Sequence, residues 1–181
     1  MNERELEFLH FGTETQEREV LMTMKTGIVQ VFYGDGKGKT SAAVGQALRE
    51  LQEGQRITMI QFLKGKMADE FQVLERLEPD MKIFRFDKSE ISYCDLPEEA
   101  KREEKHNILN GFNFSKKVLE TGESEVVILD ELLGLIDLNI ITENDVEDLI
   151  RIQGDYKKLI ITGAKLPDQI RAYVDEVSEI R

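Results

Sequence analysis

The stretch VFYGDGKGKTSAAVG, residues 31–45, constrains this chain more than any other. An apolar strand runs into Gly34-Asp35-Gly36-Lys37-Gly38-Lys39-Thr40, after which the sequence takes up helical spacing. Glycines in such a run let the backbone curl so that successive amides point inward, and the start of the helix adds unpaired N–H groups and a positive dipole end. Strand, glycine turn and helix in that order are the context of a phosphate-binding loop. The pattern GxxxxGK[ST] has glycine where this chain has Tyr33, but Gly34, Gly36 and Gly38 supply permissive positions and GKT is intact. Lys39 is expected to reach terminal phosphates and the Thr40 hydroxyl to ligate magnesium. The side chains of Asp35 and Lys37 read equally well as solvated.

The rest of the chain supplies a frame for that loop. Segments rich in Val, Ile and Phe read as strands: GIVQVFY from Gly27, RITMIQFL from Arg56, KIFRF from Lys82, EVVILD from Glu125 and KLIIT from Lys158, with VSEIR as a short sixth at the edge. Near-continuous apolar strands alternating with helical segments predict a parallel sheet covered on both faces. The expected fold class is α/β: a single-domain, phosphate-loop NTPase-like (RecA-like) three-layer fold with a mainly parallel sheet of five or six strands. Ala42, Ala43, Val44, Ala47, Leu48 and Leu51 give the helix after the loop a small-residue face for close packing. A long charged helix should run from about Pro97 to Gly122, with Ile108, Leu109, Phe112, Val118 and Leu119 inward. Thr142 is a candidate N-cap, although a capping box prefers Glu or Gln where Asp145 stands, and Pro167 should open the last helix. Residues 1–26 read as an N-terminal arm or as a lid, and residues 27–181 as the nucleotide-binding domain.

A second chemical signal stands at a suitable distance. EVVILDE is an apolar strand ending in two carboxylates, the pattern that delivers an acidic group to magnesium or its water shell. Asp130 is the metal-side carboxylate by position, and Glu131 shares that role or orients a water.

Composition sets limits. A formal net charge of −12 at pH 7 argues against broad contact with a nucleic-acid backbone. No apolar run approaches the length that spans a bilayer, and the acidic, mixed start does not resemble a signal peptide, so the cytoplasm is the expected compartment. The lone Cys94 excludes an intramolecular disulfide and is expected to be a buried thiol. Composition and spacing thus lead to a magnesium-nucleotide domain and leave its reaction open.

Several phrases carry a resemblance. YGDGKGKTSAAVGQALR resembles the loop of the ATP:corrinoid adenosyltransferases, commonly TGxGKGK[ST]TAAxGxAxR, which also lacks the first glycine. ITMIQFLKG is similar to that family's VxxxQFxKG strand, VVILDELLGLIDLNII to its VVLDE strand and following helix, and LIITGAKLPDQIRAYVDEVSEI to its VxLTGRxxPxxLxxxADLVTEM ending. The resemblance implies ATP, Mg2+ and a corrinoid: the 5′-deoxyadenosyl group passes to Co(I), and triphosphate leaves as a unit. By position it implies that Gly34, Asp35, Gly36, Lys37, Gly38, Lys39, Thr40 and Ser41 cradle the triphosphate and that Thr40, Asp130 and Glu131 handle the metal. Gln61 and Lys64 would line the site, and Lys39 and Glu131 are the catalytic candidates. It further implies a homodimer and a flavin-type protein as cobalt reductant.

The chain departs from the family's phrases in two places. Where members carry FTW after the third strand, this chain reads SEISYCDLPEE and has no tryptophan, leaving Tyr93 or Phe86 as the aromatic candidates beside a plain packing role. The family's TGR becomes Thr162-Gly163-Ala164, with Lys165 next; a lysine lacks the planar fork of an arginine. His10 and His106 read as surface or packing residues, and Arg49 matches the family's arginine but reads equally well as a surface helix cation. A phosphate-loop ATPase or kinase, or a non-catalytic ATP-binding module, remains open on the same residues.

Overall fold

The computed structural model describes residues 27–63, 69–89, 91–152 and 154–181. The expectations for the N-terminal arm and for Lys64 lie outside them. The elements run β1 (Ile28–Tyr33), α1 (Lys39–Gln52), β2 (Ile57–Gln61), a 3-10 segment (Asp69–Leu77), β3 (Met81–Arg85), a 3-10 turn (Tyr93–Asp95), α2 (Glu98–Thr121), β4 (Val126–Asp130), α3 (Gly134–Asp137), α4 (Glu143–Ile150), β5 (Lys158–Gly163), α5 (Asp168–Arg171) and β6 (Glu176–Glu179). The strands form one six-stranded sheet in the order β3-β2-β4-β5-β1-β6. Every pairing is parallel. The phosphate-loop strand β1 and the acidic strand β4 are therefore not neighbours; β5 lies between them.

Alternation along the strands sorts the core into two faces. Val29, Val31, Ile60, Val127, Leu129, Leu159 and Ile161 meet Ile108, Phe112, Val118 and Leu119 of α2 and Val146, Leu149 and Ile150 of α4. On the other face Phe32, Ile57, Met59, Met81, Val126, Ile128 and Ile160 meet Ala43, Val44 and Ala47 of α1. The small side chains of α1 let it lie close to the sheet, as its spacing predicts, while Leu48 is turned to solvent. A helix layer on each side of a parallel sheet is the arrangement such doubly buried strands require.

Local chemistry accounts for the ends. Glu98 and Glu99 open α2 at the positive end of its dipole. At α4 the Thr142 hydroxyl accepts from the Asp145 amide at 3.2 Å and the Asp145 carboxylate accepts from the Thr142 amide at 2.8 Å, so aspartate closes the box. β2 stops at Gln61 rather than continuing through Leu63, because Leu63 takes φ 58° and breaks the extended run. The helix expected after the acidic strand is the short α3, preceded by a turn in which Glu131 has φ 61°. Pro167 caps α5, which is a single turn. β6 joins the sheet edge along β1, where Asp175 locks its start: the Val29 amide donates to Asp175 Oδ2 at 2.7 Å and the Asp175 amide to the Val29 carbonyl at 2.9 Å. Cys94 corrects an expectation, since it lies exposed in the surface 3-10 turn after β3 rather than buried.

Candidate active site

β1 ends at Tyr33, and the chain turns through Gly34 at φ 124° and Gly38 at φ 109°, backbone regions in which a side chain is strained. Gly38 caps α1, whose first residue is Lys39, and the Ala42 amide donates to the Gly38 carbonyl at 2.8 Å. The loop is braced from the side. The Gly34 amide donates to the carbonyls of Gly163 and Ala164, the Gly36 amide donates to the Ile180 carbonyl at 3.0 Å, and the Ile180 amide donates to the Tyr33 carbonyl at 2.7 Å. A Cβ at Gly36 would stand 2.5 Å from the Arg181 carbonyl carbon. Glycine there thus serves packing against residues 180–181 as well as the curl of the loop. The Lys39 ammonium folds back over the turn, donating to the Gly34 carbonyl at 2.7 Å and the Gly36 carbonyl at 3.0 Å. Asp35, Lys37 and Ser41 are exposed. Beside the loop, Tyr33, Asp35, Lys165, Glu179 and Arg181 line a cleft of about 690 Å³.

The carboxyl ends of the central strands meet at Asp130. Its side chain, 0% exposed, accepts from the Thr40 hydroxyl at 2.9 Å on Oδ1 and at 3.2 Å on Oδ2. Oδ1 also accepts from the Thr162 hydroxyl at 2.8 Å, and Oδ2 from Gln61 Nε2 at 3.2 Å. Residues 61, 130 and 162 follow the alternation that faces α1, which is why strand geometry aims all three at the first turn of that helix. Thr162 also reaches the next residue of the acidic strand end, because its oxygen accepts from the Glu131 amide at 2.8 Å. That bond holds Glu131 in its left-handed conformation, a strained arrangement that costs about 1–3 kcal/mol for a non-glycine residue.

The expected residues therefore separate. Thr40, Asp130 and Gln61 come into one hydrogen-bonded cluster, Glu131 follows it immediately, and Lys39 sits one residue from Thr40 over the loop. Two members were missed by sequence reasoning. Thr162 ends the apolar run KLIIT, and Arg85, which donates from Nε to Gln61 Oε1 at 3.1 Å, is the last residue of β3. The available signal was a polar side chain at the carboxyl end of a strand that is otherwise apolar.

Among the described residues no group of three or more His, Cys, Asp and Glu side chains could hold a metal by itself. The Thr40 hydroxyl and Asp130 carboxylate are hard oxygen donors in contact, the kind of partial ligand set Mg2+ takes when substrate phosphate and water complete its octahedron.

Beyond β3 the chain lies on α2. Phe86 packs over Gly111, the rings of Phe84 and Phe114 meet edge to face at 4.8 Å, and Phe86 lies 5.6 Å from Phe114. Tyr93 is half-buried against the same core, and His106 is exposed. Asp87 and Glu104 are buried together here. Burial, with the hydrogen bond and charge of Glu104, pushes the Asp87 carboxyl up to about 7. Burial acts against Glu104 too, but the Asp87 hydrogen bond, the Ser89 and Lys88 amides and the Asn107 amide hold it below its ordinary value.

Comparison with known proteins places this geometry. Residues 25–181 match the family model of the ATP:corrinoid adenosyltransferases BtuR/CobO/CobP. A corrinoid adenosyltransferase of Escherichia coli K12 is 28% identical over 155 residues, covering 86% of this chain and 76% of that protein. The corrinoid adenosyltransferase CobA of Salmonella typhimurium is 29% identical over the same shares. In fold, the chain is similar to the flagellar accessory protein FlaH of Methanocaldococcus jannaschii, with a TM-score of 0.51 at 20% identity over 86% of this chain and 71% of that one. With a match that runs from before the loop strand to the last residue, the chain belongs to the ATP:corrinoid adenosyltransferase family.

Proposed function

We propose that the chain transfers the 5′-deoxyadenosyl group of ATP to the Co(I) of a corrinoid, cobalamin or a precursor, and releases triphosphate. What carries this reading is the family match over residues 25–181, taken with the loop helix and acidic strand joined through Thr40 and Asp130. In the reaction the cobalt lone pair attacks C5′. A Co–C bond forms, the C5′–O bond breaks, and its electron pair leaves on the triphosphate, so cobalt passes formally from Co(I) to Co(III). No water need be activated, and the protein has only to orient ATP and stabilise charge on the leaving group.

Lys39 is suited to that role. Its ammonium, engaged with two loop carbonyls, exchanges them for phosphate oxygens when the triphosphate enters. The loop of residues 34–41 cradles the chain of phosphates, with the amides after Gly36 as donors, since those of Gly34 and Gly36 are bonded to the carbonyls of Gly163, Ala164 and Ile180. Thr40 and Asp130, with Glu131 beside them, hold Mg2+, which when bound offsets charge on the departing oxygens. Gln61 lines the site from the end of the second strand, and Lys64 serves the same site as the family phrase implies. Residues 1–26 act as an arm or lid on the ATP-binding domain of residues 27–181. The protein works as a homodimer in the cytoplasm, with a flavin-type protein as cobalt reductant. Among the described residues no helix is long and apolar enough to cross a membrane.

The test is anaerobic. With magnesium-ATP and chemically reduced cob(I)alamin or cob(I)inamide, the Co(I) absorption should disappear as a photolabile adenosylcorrinoid and triphosphate form. A persistent Co(I) band with ADP release would instead establish phosphoryl transfer, with Glu131 as the candidate to orient a water. Lys39→Ala should lower ATP affinity at least ~100-fold with an unchanged circular dichroism spectrum, since it removes a charged donor to phosphate; unchanged affinity would remove the loop from the mechanism.

A further inference from the structure

The amide of Gln61 is occupied at both ends. Its Oε1 accepts from Arg85 Nε at 3.1 Å, and its Nε2 donates to Asp130 Oδ2 at 3.2 Å. Arg85, Gln61 and Asp130 are register partners across β3, β2 and β4, and all three fall on the α1 face of the sheet. A guanidinium offers only donors and a carboxylate only acceptors. Between them an amide has one orientation, oxygen to the arginine and nitrogen to the carboxylate, because the flipped amide would set donor against donor and acceptor against acceptor. Gln61 is 2% exposed, so water is poorly placed to replace either partner. The arginine also polarises the amide it holds and strengthens the donation at the other end.

We propose that Arg85 is a positioning residue for the magnesium site of the adenosyl transfer: it holds the Gln61 amide in the orientation that donates to Asp130 Oδ2, and so sets the Asp130 carboxylate beside Thr40 for Mg2+. The inference rests on the functional reading above. Arg85 stands on the edge strand, two strands from Asp130, and acts through Gln61 without touching substrate. Its removal should weaken the part of nucleotide binding that depends on Mg2+ and spare the part that does not.

The experiment titrates a fluorescent ATP analogue against the full chain at a series of Mg2+ concentrations, for the unmodified protein, Arg85→Met, Arg85→Lys, Gln61→Leu and the Arg85→Met/Gln61→Leu double variant. The half-saturating Mg2+ concentration should rise about fivefold or more in Arg85→Met, as expected for loss of one charge-assisted hydrogen bond. Metal-free affinity should hold, Arg85→Lys should recover part of the loss, and Arg85→Met should add nothing in the Gln61→Leu background. An unchanged Mg2+ requirement, additive effects in the double variant, or equal losses with and without Mg2+ would each overturn the relay. If Arg85→Met does not fold, Arg85→Lys with and without Gln61→Leu makes the same comparison. Nucleotide binding by the unmodified protein that Mg2+ does not strengthen would overturn the functional reading itself, and this inference with it.

Discussion

Two buried acidic sites stand near the carboxyl end of this sheet, and they are built on opposite plans. Asp130 receives its donors from far along the chain: Thr40 is 90 residues away, Gln61 69 and Thr162 32. Asp87 and Glu104 sit within one local excursion, and the donors to Glu104 come from Lys88 and Ser89, 16 and 15 residues away, and from Asn107, 3 residues away. The first site exists only when β2, β4, β5 and α1 are assembled in the observed order. The second needs only the segment after β3 to lie on α2. A site made of long-range partners cannot drift without the fold, whereas a locally held segment can exchange its residues. The departure from the family's FTW phrase falls on the second.

The largest effect should come from Asp130→Ala. It takes away the acceptor shared by the Thr40, Gln61 and Thr162 side chains, and each buried donor left without a partner costs about 1–3 kcal/mol. Urea denaturation should show a loss of roughly 3 kcal/mol or more, and Mg2+-dependent ATP binding should vanish. A variant that unfolded at the midpoint of the unmodified protein would break the comparison, because Asp130 would then be dispensable to the assembly that surrounds it.

The same contrast explains which features are legible in the sequence. The loop, the acidic strand and five of the strands can be read there because each is a contiguous run whose chemistry or periodicity is local. Thr162 cannot, since its meaning comes from β5 lying between β1 and β4, and strand order leaves no trace in hydrophobic spacing. Arg85 is hidden for the same reason: as one cation in KIFRF it reads as an edge residue until register sets it opposite Gln61. Cys94 misleads in the other direction, because the preference of a lone thiol for the interior carries no information about a surface 3-10 turn. Gln61 stands out through the family phrase, but its burial and its two partners assign it to the wall that holds Asp130.

A middle-sized effect separates the two regions. Gly111→Ala would place a Cβ 2.6 Å from Phe86 Cγ, at the root of a ring already packed against Phe114. Alanine favours a helix interior over glycine by about 1 kcal/mol, but overpacking costs about 1–3 kcal/mol, and the rooted ring cannot swing aside. The expected net loss is up to about 2 kcal/mol, with affinity for magnesium-ATP changed less than about twofold, because the aromatic rings pack on the α2 face of the sheet and the Asp130 cluster lies on the α1 face. A large fall in ATP affinity would mean that the segment after β3 and the phosphate loop are one unit.

The smallest effect is a change of slope. Asp87, raised by burial and by Glu104 to about 7, keeps a proton in the folded chain that the unfolded chain releases near pH 4. Stability from this group is complete below the unfolded value and is lost as pH rises toward 7, since the unfolded state binds fewer protons throughout that window. Glu104, held low, works in the other sense but only below its unfolded value, so it leaves the range from pH 5 to 7 to Asp87. Asp87→Asn keeps an N–H to donate to Glu104 and has no proton to lose. Denaturation midpoints measured from pH 5 to 7.5 should therefore fall more for the unmodified protein than for the variant, by on the order of 1 kcal/mol across the range, and parallel curves would remove the shared proton. The pH dependence of magnesium-ATP binding should be the same in both proteins, because the Thr40, Gln61 and Thr162 donors to Asp130 are separate from the Asp87 and Glu104 pair.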